Sequence, residues 1–232
     1  MDVHPKYPRW IPACFRIGWQ ISRKVNQTFS SVVEESVAEK LFAVEGHITA
    51  RQCATLFYFA YAQNGDGRVV EIGSFKGKST VWIAQALKQR GEENAKVVAI
   101  DPHINTKDTE VVPDYQEESS YEAFMNNVSL AGLDEWVEPV KKMSVDAAKD
   151  WNQSIRLLFI DGSHRYEDVL LDLQSWEPAV NAGGVIILHD TKPTGPFPGV
   201  RRAINEYLRS SSRFEEVIQL LNLTVFRKLS SN

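Results

Sequence analysis

Val70-Glu71-Ile72-Gly73-Ser74-Phe75-Lys76-Gly77-Lys78-Ser79-Thr80 is the stretch that decides the fold. A short apolar run ends at an acidic residue, two glycines follow, and an amphipathic stretch opens at once. Glycine at the exit of a strand lets the backbone turn sharply and approach a ligand without a Cβ clash. A helix that starts there aims its free N-terminal amides at the same ligand. Three ligand classes use such a turn. A dinucleotide turn has G-x-G-x-x-G, and position 75 here is Phe, so the second glycine is missing. A P-loop has G-x-x-x-x-G-K-[ST]. Here Gly73 and Gly77 enclose one residue too few before Lys78 and Ser79, and the Glu71 carboxylate would repel phosphate.

Outward from this turn the pattern alternates. Residues 68–72, 96–101, 136–140, 156–161 and 184–190 are short, rich in Val and Ile, and bounded by Gly, Asp or Asn, which predicts strands. Helical periodicity fills 79–90, 119–131, 144–150 and 167–180. Strand and helix in turn predict a doubly wound α/β fold, a mostly parallel sheet with helices on both faces. After a helix near 200–210, the runs 214–220 and 223–228 are separated by little more than Asn222. So short a link predicts a hairpin, with the final strand antiparallel to the others. Residues 29–63 read as two helices joined by a turn at 46–49, so 1–64 is expected to be a helical cap or lid and 65–232 the catalytic-type domain. The longest stretch without periodicity, 102–118, carries Asp108, Glu110, Asp114, Glu117 and Glu118. A loop of that length is more often functional than idle, and it is expected to order when ligand binds.

Bulk properties narrow the classes. At 232 residues the chain is long enough to bury a core without staples. A net charge of −4 with no long run of Lys or Arg gives no nucleic-acid footprint. Cys14 and Cys53 have no metal-ligand or redox spacing, and two reduced thiols fit a cytoplasmic chain. No apolar run approaches the ~20 residues that span a bilayer. Trp10, Ile11, Phe15 and Trp19, followed by Arg23 and Lys24, form a short amphipathic segment. Residues 10–24 are therefore expected to be a lid or dimer-contact helix, with contact to a membrane surface the lesser reading. A homo-oligomer is left open.

The third class of turn, an acidic strand end followed by G-x-x-x-G, matches this chain. It suits a cofactor with a cationic sulfonium and amino group and no phosphate. Asp101 ends the second strand, where a carboxylate can accept both hydroxyls of a ribose; the alternative is a turn Asp before Pro102. Ser144 follows the third strand, either at the edge of an adenine or as a helix N-cap. On these residues, and on Ala99-Ile100-Asp101-Pro102-His103, Phe159-Ile160-Asp161-Gly162-Ser163-His164-Arg165-Tyr166 and Gly183-Gly184-Val185-Ile186-Ile187-Leu188-His189-Asp190, the chain resembles class I methyltransferases over about 48–214. The branch it resembles is methyltransferase family 24, which is similar to macrocin-type sugar O-methyltransferases and the cephalosporin-hydroxylase-like group. The resemblance implies S-adenosylmethionine as cofactor, held by Glu71, Gly73, Ser74, Phe75, Gly77, Ser79, Thr80, Asp101, Pro102, His103, Ser144 and Asp161.

Two further strand ends carry the chemistry: Asp161-Gly162-Ser163-His164 and His189-Asp190. In an open α/β sheet both belong to the crevice at the carboxyl ends of the strands. A hydroxyl must lose a proton as it attacks a sulfonium. A divalent ion promotes that loss, and a histidine takes the proton. The related families imply Mg²⁺ or Mn²⁺ on Asp161 and Asp190 with His189 as a third ligand. His164 is then the expected base, although the two histidines are free to exchange roles. One departure is that Ser163 and His189 stand where metal-dependent relatives often carry another carboxylate. The expected reaction is metal-assisted O-methylation of a sugar or sugar-containing small molecule. The alternatives are a catechol or phenol acceptor, a P-loop-like nucleotide hydrolase, and a catalytically silent cofactor-binding protein. The 191–199 stretch, with three prolines and Phe197, is expected to wall the acceptor pocket, and Trp151 and Trp176 to pack in the core.

Overall fold

The computed structural model describes residues 24–25, 27–28, 31–92, 95–104, 119–220 and 222–230. The basic-aromatic segment 10–23, Cys14 and most of the acidic loop, 105–118, lie outside the described residues. Seven strands form one sheet in the order β3-β2-β1-β4-β5-β7-β6. They are β1 (Arg68–Ile72), β2 (Val97–Ile100), β3 (Val137–Val140), β4 (Ile155–Ile160), β5 (Val180–Leu188), β6 (Phe214–Leu220) and β7 (Leu223–Lys228). The first five run parallel, and β7 lies antiparallel between β5 and β6. The hairpin expected at Asn222 is present.

Side chains one residue apart on a strand point to opposite faces, and here each face meets its own core. Val69, Val97, Leu157 and Val185 pack with Leu56, Phe57 and Trp82. Val70, Val98, Leu158 and Ile186 pack on the other face with Leu173, Trp176 and Ile204. That is why the strands read as unbroken apolar runs rather than alternating ones. Helix α1 spans Glu35–Ala43 and α2 spans Ala50–Ala62; α2 contributes Leu56 and Phe57, both fully buried. Burial of each such side chain contributes roughly 1.5–3 kcal/mol. Helix α3, Lys78–Gln89, is buried from Ser79 to Leu87, between α2 and the sheet. Among the described residues no helix is long and apolar enough to cross a membrane.

Two boundaries differ from the sequence expectation. The helix predicted over 167–180 is Tyr166–Trp176 followed by a 3-10 turn, Glu177–Ala179. Pro178, which lacks an N–H and clashes with the preceding turn, ends the α-helix there. Strand β5 then begins at Val180 instead of 184, because Gly183 and Gly184 form an irregularity inside the strand and not its start.

Strands β1 and β4 are neighbours, while the chain winds from β1 outward to β3 before crossing back to β4. This is the switch point, where the chain leaves opposite sides of the crevice. The strands end at Ile72, Ile100, Ile160 and Leu188, so Gly73, Asp101, Asp161 and His189 emerge one residue later at the same edge.

Candidate active site

Gly73 has φ +84, and a Cβ there would lie 2.3 Å from the Asp161 carbonyl oxygen. The exits of β1 and β4 therefore cross in contact, which only glycine permits. Gly77, with φ +87, caps α3, whose first turn points at the crevice. Below the turn Glu71 is fully buried, and Thr80 Oγ1 donates to its Oε2 at 2.5 Å. Burial pushes the Glu71 carboxyl up to about 8, despite hydrogen bonds from Ser79 and Thr80 that oppose the shift. Its Oε1 and the Ser74 hydroxyl are buried without a partner.

Asp101 knits the next strand end to this turn. Its Oδ2 accepts the Phe75 N–H at 2.8 Å, and its Oδ1 accepts the His103 N–H at 2.6 Å. Phe75 and His103 both hold positive φ, at 45° and 53°, as this double bridging requires. His103 turns inward, sharing a 2.9 Å hydrogen bond between Nδ1 and Ser120 Oγ and packing on Tyr121 and Phe124. Burial pushes its imidazole down, against the opposing pull of the Asp101 carboxylate. Ser144 is not a helix N-cap: that place is Met143, and Ser144 opens helix Ser144–Lys149. Its hydroxyl accepts the Trp176 indole N–H at 2.8 Å. Trp176 is fully buried and Trp151 packs edge-on against it.

At the other side of the crevice four side chains converge. His164 Nε2 lies 2.7 Å from Asp190 Oδ2. His189 Nδ1 lies 2.9 Å from Asp161 Oδ1 and 3.3 Å from Asp190 Oδ2, shared between the two carboxylates and aligned with neither. Burial opposes charge on His189, but the carboxylates outweigh it and push the imidazole up to about 10. Burial likewise opposes ionisation of Asp190, and the two histidines hold it well below the usual carboxylate range. The Phe197 ring stacks on His164 at 3.9 Å, so the proline-rich stretch does wall this side.

These groups surround a cavity of about 220 Å³ lined by Gly73, Ser74, Phe75, Ser79, Asp161, His164, His189 and Asp190. Gly46, His47, Ile48, Lys78, Gly162, Phe197 and Asn222 complete the wall. Glu71, Gly77, Thr80, Asp101, Pro102, His103 and Ser144 lie outside it, in the layer that shapes the turn and the neighbouring strand ends. A larger cavity, about 640 Å³, opens at Gly67, Arg68, Glu92 and Arg156. It lies at the amino ends of the strands, away from all the polar strand exits. Three groups offer ligand atoms within 4.8 Å of one another: Asp161, His164 and Asp190. Two carboxylates and one imidazole suit a hard divalent ion such as Mg²⁺ or Mn²⁺. The set thus takes in His164, where His189 was expected.

Two contributors went unread in the sequence. Gln52, on α2, places Nε2 2.9 Å from His189 Nε2. Asn222, in the hairpin turn, donates to Asp190 Oδ1 at 2.6 Å. The Thr49-x-x-Gln52 spacing was visible as a capping box, but nothing local told of the contact across 137 residues.

A family model described as a methyltransferase domain, that of family 24, matches residues 70–191. The chain belongs to methyltransferase family 24. The match runs from the glycine turn to the residue after Asp190, so it contains every strand end that lines the site. An uncharacterized protein of Acanthamoeba polyphaga mimivirus is 27% identical over 190 residues, 80% of this chain and 76% of its own length. An uncharacterized protein of Sinorhizobium fredii is 27% identical over 125 residues, 54% of this chain, which spans only 13% of that relative. Among solved structures, the O-methyltransferase TomG from Streptomyces achromogenes, in complex with SAM, has a TM-score of 0.62 at 21% identity. It covers 95% of this chain and 100% of its own. An O-methyltransferase from Bacillus cereus in complex with SAH gives 0.61 at 18%, covering 88% and 97%. A TDP-rhamnose 3'-O-methyltransferase of calicheamicin biosynthesis gives 0.56 at 14%, covering 90% and 93%. The family 24 chain therefore shares the fold of the S-adenosylmethionine-dependent methyltransferases.

Proposed function

We propose that this family 24 chain is an S-adenosylmethionine-dependent O-methyltransferase acting on a hydroxyl of a sugar or sugar-containing small molecule. The observation that carries the reading is the pairing of His164 with Asp190 in the same cavity as the glycine turn. The cofactor, when bound, supplies a methyl group on an electrophilic sulfonium. The unpartnered Ser74 hydroxyl, which lines the cavity, fits its polar groups. Asp101 serves the ribose through the lone pairs left free by Phe75 and His103. The acceptor oxygen gains the methyl and loses its proton, and His164, oriented by Asp190, takes that proton. Asp161 and Asp190 would hold a divalent ion, which would supply Lewis acidity toward the acceptor hydroxyl. The described residues before 65 act as a cap through the 46–48 turn and Gln52.

The aromatic faces of Phe197 and Phe75 favour a phenolic acceptor as the second reading. Calorimetry with S-adenosylhomocysteine and ATP side by side tests the cofactor class, with binding expected for the first alone. A panel of sugars and catechols then tests the acceptor. Binding or hydrolysis of ATP would overturn the reading in favour of a P-loop-like hydrolase, and cofactor binding without turnover would leave a silent binding protein.

A further inference from the structure

Gln52 is the third residue of α2 and only 3% exposed. Its Oε1 accepts the Thr49 backbone N–H at 2.7 Å and the Thr49 hydroxyl at 2.6 Å. A backbone N–H is an obligate donor, so the atom facing Thr49 is the amide oxygen. The other end of the amide is therefore the NH₂ group, and it lies 2.9 Å from His189 Nε2. That nitrogen must offer a lone pair, since two N–H groups face to face repel. The carboxylates of Asp161 and Asp190 ask for a proton on the opposite nitrogen, Nδ1. Both demands are met by a ring with one proton, on Nδ1: the two carboxylates favour charge on the ring, but a second proton, on Nε2, would face the Gln52 NH₂ donor to donor. Gln52 cannot turn over to suit a different ring without breaking both bonds to Thr49.

We infer that Gln52 is a positioning residue that fixes His189 in its Nδ1–H form, turning that N–H toward Asp161 and Asp190 and leaving His189 neither a metal ligand nor the base. The ring nitrogen of His189 that remains is spent on Gln52, which leaves His164 as the imidazole for chemistry. Asp161 and Asp190 are held in place from behind by His189, and the anchor of that contact is a helix cap outside the strands. Such orienting partners typically change activity by ~10–100-fold when lost. The kinetic part of this inference rests on the O-methyltransferase reading; the hydrogen-bond assignment does not.

Gln52→Glu is the discriminating variant. Glu at this position keeps the capping box, so the helix start and stability are preserved. Its second oxygen, however, is an acceptor facing Nε2 and demands a proton there. In ¹⁵N-histidine-labelled wild-type protein, long-range ¹H–¹⁵N spectra should show His189 protonated on Nδ1 and bare on Nε2. In Gln52→Glu, Nε2 should become protonated, with kcat reduced ~10–100-fold and S-adenosylhomocysteine affinity within about twofold of wild type. A proton on Nε2 in the wild type would overturn the assignment, whatever the enzyme methylates. A correct wild-type tautomer with unchanged kcat in Gln52→Glu would overturn the positioning role. Absence of turnover on every acceptor would count against the O-methyltransferase reading alone, because the spectra decide the tautomer without it.

Discussion

Asn222 donates to Asp190 Oδ1 at 2.6 Å, and its own side-chain oxygen accepts the Lys192 N–H at 3.0 Å. The turn of the antiparallel hairpin thus holds the carboxylate that follows β5. Asp190 has φ 58, a left-handed conformation unusual for a residue other than glycine. Such backbone persists where surrounding contacts over-determine it, and Asn222 and His164 each take one carboxylate oxygen.

Asn222→Ala should therefore release Asp190 without touching the glycine turn. Turnover should fall ~10–100-fold while S-adenosylhomocysteine affinity stays within about twofold. Equal loss of both, measured by initial rates and calorimetry, would mean that the hairpin acts on the whole crevice and not on Asp190.

Asp101→Ala removes the bridge between the Phe75 and His103 amides as well as the expected ribose contact. S-adenosylhomocysteine binding should weaken ~10–100-fold, and the two orphaned N–H groups should cost about 1–3 kcal/mol each in stability. A variant that melts early yet binds with wild-type affinity would leave Asp101 as a turn residue only.

Asp172 gives a pH test away from the chemistry. It is 6% exposed on helix Tyr166–Trp176, and burial raises its carboxyl from 3.8 to about 6, a bond from Ser144 opposing the shift in part. A carboxyl raised in the folded state stabilises below its unfolded value and loses that contribution as pH rises through the folded one. The loss should run from about pH 4 to pH 7. Asp172→Asn, which keeps the acceptor for Ser144 and carries no charge, should match wild type near pH 4. It should exceed wild type by on the order of 1–3 kcal/mol, or ~2–10 °C in Tm, near pH 7.5. A difference that does not grow with pH would show that Asp172 ionises freely in the folded protein.

How far the sequence was legible follows from how each residue acts. The sheet, its hairpin and the switch point came from local patterns, because β1, β2, β4 and β5 run into Gly73, Asp101, Asp161 and the His189-Asp190 pair. The Gly183-Gly184 pair misled the start of β5, since glycine inside a strand and glycine before one look alike in sequence. Ser144 was legible as a small polar residue after β3, but its commitment to Trp176 depends on a helix 32 residues away. The roles of Gln52, Asn222 and His189 were out of reach for the same reason. Which ring nitrogen is free depends on groups that only the fold brings together.

The last prediction concerns the ion. Asp161, His164 and Asp190 bring one carboxylate from each of two strand ends to a single imidazole, within 4.8 Å. The one cysteine among the described residues, Cys53, is buried with its thiol pushed up to about 12, so no thiolate joins the set. Mn²⁺ should accordingly bind the wild type in calorimetry, with Mg²⁺ competing and Zn²⁺ not preferred. Asp161→Asn and Asp190→Asn should each abolish Mn²⁺ binding and turnover while S-adenosylhomocysteine still binds, because the cofactor's cradle is the glycine turn. Excess EDTA should do the same. His164→Ala should leave Mn²⁺ bound and slow turnover ~10²–10⁴-fold; lost Mn²⁺ affinity in that variant would make His164 a ligand and not the base. Full activity in EDTA would remove the ion from the reaction, leaving the His164–Asp190 pair to carry the proton unaided.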